Sequence, residues 1–181
     1  ANLMGARLYA RLYYITDNPQ YKNYALKSAR YSVEAQRNDG AWYYGEEDHH
    51  RWIDNFHTGF NLVSINDIQK HLGINYWDKN LEDGLKYHIE NHYLDDMTPK
   101  YYNNKLYPID IHNFAQGLDT LLTFGYLQDA KKLLYKSLDF MWDNNKSYFY
   151  YQKNKYYTNK INYIRWSQAW MFFALSKYLN K

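Results

Sequence analysis

The chain has 181 residues, 46% hydrophobic and 23% charged, and its 22 basic and 19 acidic side chains leave a net charge of +3. One packed domain fits that composition and wholesale disorder does not. The scattered lysines lack the concentrated basic stripe of a nucleic-acid binder. Zero cysteines exclude disulfides, thiolate metal sites and a cysteine nucleophile.

The predicted elements are helices. Met4, Leu8, Leu12 and Ile15 recur at helical spacing, and Asp17-Asn18-Pro19 reads as a stop, an N-cap and a first-turn proline. Leu26, Ala29 and Val33 carry a second helix, which Asp39-Gly40 is expected to close. A third is predicted over 54–71 with a stop at Gly73, and a fourth carries Leu81, Leu85 and Ile89. A fifth is predicted over 111–124, ending at Gly125, and Leu127, Ala130, Leu134, Leu138 and Met141 stripe a sixth. The seventh, over 165–179, is apolar nearly all round. The second, fourth and sixth have one wet face, as an outer layer requires; the third, fifth and seventh read as an inner layer.

A repeat runs through the inner helices. Asn55-Phe56-His57-Thr58-Gly59 recurs as Asn113-Phe114-Ala115-Gln116-Gly117 and again as Arg165-Trp166-Ser167-Gln168-Ala169. The small fifth residue predicts close backbone approach, which outweighs the ~1 kcal/mol helix-propensity cost of glycine. Between the helix pairs lie tyrosine-rich connections, 41–52, 98–108 and 147–163, expected as short hairpins gathered at one end of the molecule. The fold class is therefore all-α, a partial (α/α) toroid of about seven helices in α-hairpin repeats. The whole chain, 1–181, reads as one toroid segment. Aligning Gly5 with Gly59 puts Ala1 at the opening of an inner helix, so the expectation is the C-terminal part of a larger ring, or a short module completed by self-association.

The stretch Gln36-Arg37-Asn38-Asp39-Gly40-Ala41-Trp42-Tyr43-Tyr44-Gly45-Glu46, followed by Arg51-Trp52-Ile53-Asp54-Asn55-Phe56-His57-Thr58-Gly59-Phe60, resembles a family of bacterial and archaeal α-toroid proteins found with exopolysaccharide and capsule synthesis. That family is similar in fold to six-hairpin glycosidases and terpenoid-cyclase-like toroids. The resemblance is strongest over 1–65 and implies a toroid in a polysaccharide setting. It implies no mechanism.

The candidate chemistry lies at the inner-helix N-termini. His57 and His112 are candidate general bases, with Tyr44 as an alternative. Glu46, Asp54 and Asp110 are the candidate carboxyls, although Asp54 and Asp110 read equally well as N-caps. Asn55, Asn113, Arg165 and Gln168 are expected to meet an anionic sugar group, Arg165 being a poor cap but a good anion partner. The aromatics number 23 Tyr and 6 Trp against 8 Phe, which suggests rings facing a wet groove. Trp42, Tyr43, Trp52, Tyr101, Tyr102 and Trp166 are the expected platforms for sugar rings.

His88 and His92, one turn apart on an outer helix, are expected at the surface, and Glu46-Glu47-Asp48-His49-His50 as a solvated loop. No phosphate loop, zinc-protease helix or nucleophile elbow is present, so neither metal nor cofactor is expected.

Three functions compete. The first is an enzyme on an acidic poly- or oligosaccharide, either a lyase or epimerase using a base, or a hydrolase using two carboxyls about 5–10 Å apart. The second is a non-catalytic glycan-binding module of a polysaccharide-biosynthesis system, and the third is a protein-interaction arc. No run approaches the roughly 20 apolar residues of a membrane span, and no leader pattern opens the sequence; neither nucleic acid nor membrane insertion is expected, and a cytoplasmic location is.

Overall fold

The computed structural model describes residues 2–181. Its helices are α1 (Asn2–Thr16), α2 (Pro19–Glu34), α3 (Asn55–Leu72), α4 (Asp78–His92), α5 (Ile111–Thr123), α6 (Leu127–Met141) and α7 (Ala169–Leu179). Helices α1, α3, α5 and α7 pack side by side in that order, while α2, α4 and α6 each lie against the inner helix before them. This is the arc of α-hairpins that the repeat predicts.

Local chemistry sets the helix ends. The Asn18 side chain accepts a hydrogen bond from the Gln20 amide at 3.0 Å, with Pro19 in the first turn. Asp54 caps α3 and Asp110 caps α5 through their carboxylates. Gly73 closes α3 at φ +65°, a left-handed conformation that glycine adopts without strain.

The repeated glycines mark close crossings. A Cβ on Gly59 would stand 2.7 Å from Cγ of Gln116, and one on Gly117 would stand 2.5 Å from the Tyr93 hydroxyl. With that spacing α5 sinks into the interior, and every residue from Ile111 to Leu122 is buried. Two large apolar cores result, beside a small cluster of Ala41, Ile53 and Tyr87. One joins α1–α4 through Leu3, Ala6, Leu62, Ile65 and Leu85; the other joins α5–α7 through Phe114, Leu118, Leu133 and Met171. Ile89 packs against both.

The connections meet along one edge of the arc. Strand β1 (Ile109–Asp110) pairs antiparallel with β4 (Gln152–Lys153), which pairs with β5 (Thr158–Asn159); β2 (Trp142–Asp143) pairs with β3 (Tyr148–Phe149). Asp54 forms a β-bridge with Tyr102, tying the first connection to the second. The first connection itself has no strand ladder. It is held by the Tyr44 amide on the Trp52 carbonyl at 2.8 Å and by a single 3-10 turn, Asp48–His50.

Several expectations are corrected. Helix α2 ends at Glu34, because the Gln36 side chain takes the Gly40 and Asn80 carbonyls and folds 36–40 into turns. The Met4, Leu8 and Ile15 stripe of α1 faces outward; Leu3, Ala6 and Ala10 are the buried residues, the two alanines being small enough to admit α2 and α3. Helix α7 begins only at Ala169, after a π-turn (Ile164–Gln168), and it buries Met171 and Ala174 against α5 while Phe172 and Phe173, on the face turned away from α5, are exposed. His88 and His92 are fully buried rather than superficial, for the chain after α4 folds back across them and brings the Tyr93 hydroxyl to 3.3 Å from His88 Nε2. The placement of Ala1 at the opening of an inner helix lies outside the described residues. No described helix is long and apolar enough to cross a membrane.

Candidate functional site

The first turn of α3 carries the clearest chemical arrangement. Asp54 accepts the His57 amide at 2.9 Å as N-cap, and the same carboxylate bonds the His57 ring, with Nδ1 at 3.0 and 2.9 Å from its two oxygens. A carboxylate oxygen only accepts, so Nδ1 carries a hydrogen, and in the neutral ring this leaves the lone pair on Nε2. The Asp54 side chain is 2% exposed and that of His57 36% exposed, so the acid is sheltered while the imidazole meets water.

Aromatic walls surround that imidazole. Tyr44 stands edge-on to it with ring centroids 4.7 Å apart, and Trp52 stacks on Tyr44 at 4.6 Å. Trp42, Tyr43, Tyr44, Thr58 and Asn61 complete a cleft of about 280 Å³ over His57. A neighbouring cavity of about 420 Å³ shares Trp42, Tyr43, Tyr44 and Asn61 and adds Tyr31, Ser32, Glu46 and Arg51. Trp42 is locked, its indole nitrogen donating to the Ser32 carbonyl at 3.0 Å. Glu46 accepts from the Tyr31 hydroxyl, which pins the 41–52 connection against α2.

The N-terminus of α5 is closed instead. Asp110 is fully buried and its carboxylate accepts from the His112 amide at 2.8 Å, Gln152 Nε2 at 2.6 Å and the Trp166 indole nitrogen at 3.3 Å. Burial outweighs those bonds and pushes Asp110 up to about 6. His112 is buried beneath Trp166, ring centroids 4.3 Å apart, and burial draws it down to about 4. Neither group lines the cleft over His57 or the cavity beside it.

The remaining predicted residues divide in the same way. Asn55 and Asn113 are fully buried, and their amides donate to the carbonyls of His92 at 3.2 Å and Lys100 at 3.3 Å, so they hold the end of α4 and the second connection and do not line the cleft. Gln168 is spent on the backbone of Phe149, accepting at 3.0 Å and donating at 2.7 Å. Arg165 is exposed on the π-turn and makes no side-chain bond or ion pair among the described residues. Tyr101 packs edge-on to Phe56, raised above its ordinary range by burial, while Tyr102 lines a separate pocket beside Trp52.

The structure thus gathers Trp42, Tyr43, Tyr44, Glu46, Asp54 and His57 with Trp52 behind them, and leaves Asp110, His112, Asn55, Asn113, Arg165, Trp166 and Gln168 outside. Asn61 lines the cleft, and Tyr31 and Arg51 the neighbouring cavity, without having been singled out in sequence. Asn61 carries a readable signal, standing one turn beyond His57 on the same helix face. Arg51 lies within the motif-bearing stretch but has no distinguishing spacing. Among the described residues no group of three or more His, Cys, Asp or Glu side chains is placed to hold a metal ion.

Neither a family model nor a curated protein matches the chain, so the resemblance to the exopolysaccharide-associated family stands on the sequence stretch alone. Solved structures do match. A cellobiose 2-epimerase from Spirochaeta thermophila is similar with a TM-score of 0.76 at 9% identity, over 99% of this chain and 52% of that one. An unsaturated glucuronyl hydrolase from Streptococcus agalactiae matches at 0.72 and 12% identity, over 99% and 57%. Another, from a Bacillus species, matches at 0.73 and 13%, over 98% and 56%. These likenesses establish the (α/α)-toroid fold. The chain spans about half the length of each of these structures.

Proposed function

We propose that the protein is a carbohydrate-active enzyme that moves a proton on a poly- or oligosaccharide, with His57 as the base and Asp54 as the residue that orients it. The observation that carries this reading is the buried Asp54 carboxylate on Nδ1 of a half-exposed His57, at the floor of a cleft walled by Trp42, Tyr43 and Tyr44. A carbon-bound hydrogen beside a sugar carbonyl or carboxylate is the group such a base suits. Nε2 takes the proton, the electron pair moves onto the neighbouring oxygen, and the imidazolium is stabilised by Asp54. Delivery of a proton by water to the opposite face gives an epimer, and His57 then releases the proton it took to solvent. Loss of the substituent one carbon further gives elimination. The aromatic walls stack on the apolar faces of sugar rings, and Tyr31, Ser32 and Asn61 offer bonds to hydroxyls.

Solved toroids that include an epimerase and glucuronyl hydrolases support a saccharide substrate. Hydrolysis by two free carboxyls has less support, because Asp110 is sealed, Asp54 is held by His57 and Glu46 by Tyr31. A module that only binds glycans needs the walls but has no use for a buried acid on the histidine.

The test is proton exchange in deuterated water, followed by NMR, on reducing disaccharides and uronate oligosaccharides. The expected result is label entering beside the carbonyl or carboxyl, or an unsaturated product, with His57→Gln and Asp54→Asn each slowing it by about 10²–10⁴-fold. Undiminished exchange in both variants overturns the assignment. Saturable binding of these sugars without any exchange favours the glycan-binding module.

A further inference from the structure

Behind the Tyr43–Trp52 wall lies a second polar pocket of about 470 Å³, lined by Arg37, Arg51 and Lys105 together with Tyr43, Trp52 and Asn104. No carboxylate lines it. Tyr43 and Arg51 also line the 420 Å³ cavity, and Tyr43 lines the cleft over His57, so one side chain borders all three spaces.

We propose that this pocket is an anion subsite, holding the carboxylate or sulfate of the sugar unit next to the one that reacts at His57. The inference rests on the saccharide reading above and narrows the substrate to acidic glycans.

Three cations enter from three segments. Arg37 follows α2, Arg51 ends the first connection and Lys105 lies in the second. Arg37 is pre-oriented, because its guanidinium lies 4.6 Å over the Tyr43 ring and also bonds the Tyr43 hydroxyl. Its ion-pair partner is Asp39 at 3.0 Å, and that of Arg51 is Asp48 at 3.0 Å with the Asp48 side chain 90% exposed. Both acids stand outside the pocket wall. Arg37 is held on both sides, Nε and Nη2 by the Asp39 carboxylate and Nη1 by the Tyr43 hydroxyl, and lends the wall its fixed charge. The exposed Arg51–Asp48 pair is weakly held, so a carboxylate or sulfate can share the Arg51 guanidinium. Lys105 has no carboxylate partner among the described residues, and its exposed ammonium completes the positive wall. The carboxyl-neutralising role expected of Asn55, Asn113 and Arg165 thus passes to a different set of residues on the cleft side of the molecule.

The test is a tryptophan-fluorescence titration, Trp52 being in the pocket wall. The probes are glucuronate-, galacturonate- and mannuronate-containing trisaccharides, each against its carboxyl-reduced neutral counterpart. The wild-type protein is expected to bind at least one acidic sugar about tenfold or more tightly than its reduced form, with a preference that shrinks in high salt. Lys105→Glu is expected to erase that preference and Lys105→Met to weaken it severalfold, while affinity for the reduced sugar is unchanged in both, which also reports an intact fold. Equal wild-type affinity for acidic and reduced sugars overturns the subsite, as does a preference that survives both substitutions. If exchange at His57 persists in either case, the saccharide reading stands and the subsite alone fails. If no sugar binds, acidic or reduced, both fail together.

Discussion

The N-termini of α3 and α5 begin alike and end as different objects. Each has an aspartate N-cap that accepts a histidine amide, at 2.9 Å for His57 and 2.8 Å for His112. The first difference is one residue of spacing. His57 lies three positions after its aspartate and therefore returns over the cap, whereas His112 lies two positions after and projects to another side of the helix. The second difference is the cover. Over α5, Gln152 from β4 and Trp166 from the π-turn descend onto Asp110 and seal it. Over α3, the first connection has no strand ladder, and it holds Tyr44 and Trp52 as a stacked wall beside His57 rather than as a plug. An Asp–His pair becomes a usable site only where the spacing turns the ring onto the acid and the covering loop leaves room for a ligand.

The sharpest way to break that contrast is to remove one acid at a time. Asp54→Asn is expected to lower sugar-proton exchange by about 10²–10⁴-fold, since the amide cannot hold the Nδ1 hydrogen as the carboxylate does. Asp110→Asn is expected to leave the rate within about threefold, because no step uses it. Comparable losses in both variants, read by the same NMR assay, would erase the distinction.

Next in size is packing. Gly117→Ala must displace the Tyr93 hydroxyl at 2.5 Å and Leu133 Cδ2 at 2.7 Å. It is expected to cost about 1–3 kcal/mol despite the helix-propensity gain of alanine, measured by urea unfolding.

Acid sharpens the contrast further. His88, drawn down to about 3, and His112, drawn down to about 4, stay neutral in the fold but take protons once unfolded, from an ordinary value of 6.5. Their stability is complete above about pH 6.5 and is lost as pH falls towards 4 and then 3. His92 adds to this, pushed well below its ordinary range by burial. Asp110 opposes it. Raised to about 6 from 3.8, it gains a proton in the fold first, so its contribution grows as pH falls between those values. The three histidines outweigh one aspartate, and the thermal midpoint is expected to drop below pH 6.5. His112→Phe should make that drop shallower and leave exchange intact, whereas His57→Phe should abolish exchange. A midpoint that stays flat with pH would contradict the buried neutral histidines.

The smallest effect expected is that of Asp110→Asn on stability at neutral pH, within about 1 kcal/mol by thermal unfolding, because a capping acceptor remains while a buried charge is removed.

Most of the helices were legible because caps and periodicity are local. Asn18, Asp54, Gly73 and Gly125 act within a few residues of where they stand. The repeated small residue was equally legible as a crossing point. The failures share a cause. His88 and His92 sit on an amphipathic outer helix, and only the return of Tyr93 across them makes them core. Asn55 and Asn113 resemble ligand groups in sequence, yet the carbonyls they hold belong to His92 and Lys100, far along the chain. Arg37, Arg51 and Lys105 meet around Tyr43 although nothing in their spacing announces it.

The sequence by itself determined where most of the helices start and stop, the end of α2 and the start of α7 excepted, which alternate helices form the inner layer, and that His57 stands one helical turn from Asp54. Those properties depend on neighbours within about one helical turn. Only the tertiary structure decided that the Asp54–His57 pair opens onto a cleft, through the imidazole, while Asp110 is sealed. Burial there is set by Gln152 and Trp166, dozens of residues away in the chain, and by a connection whose aromatics stack on one another instead of on the helix end.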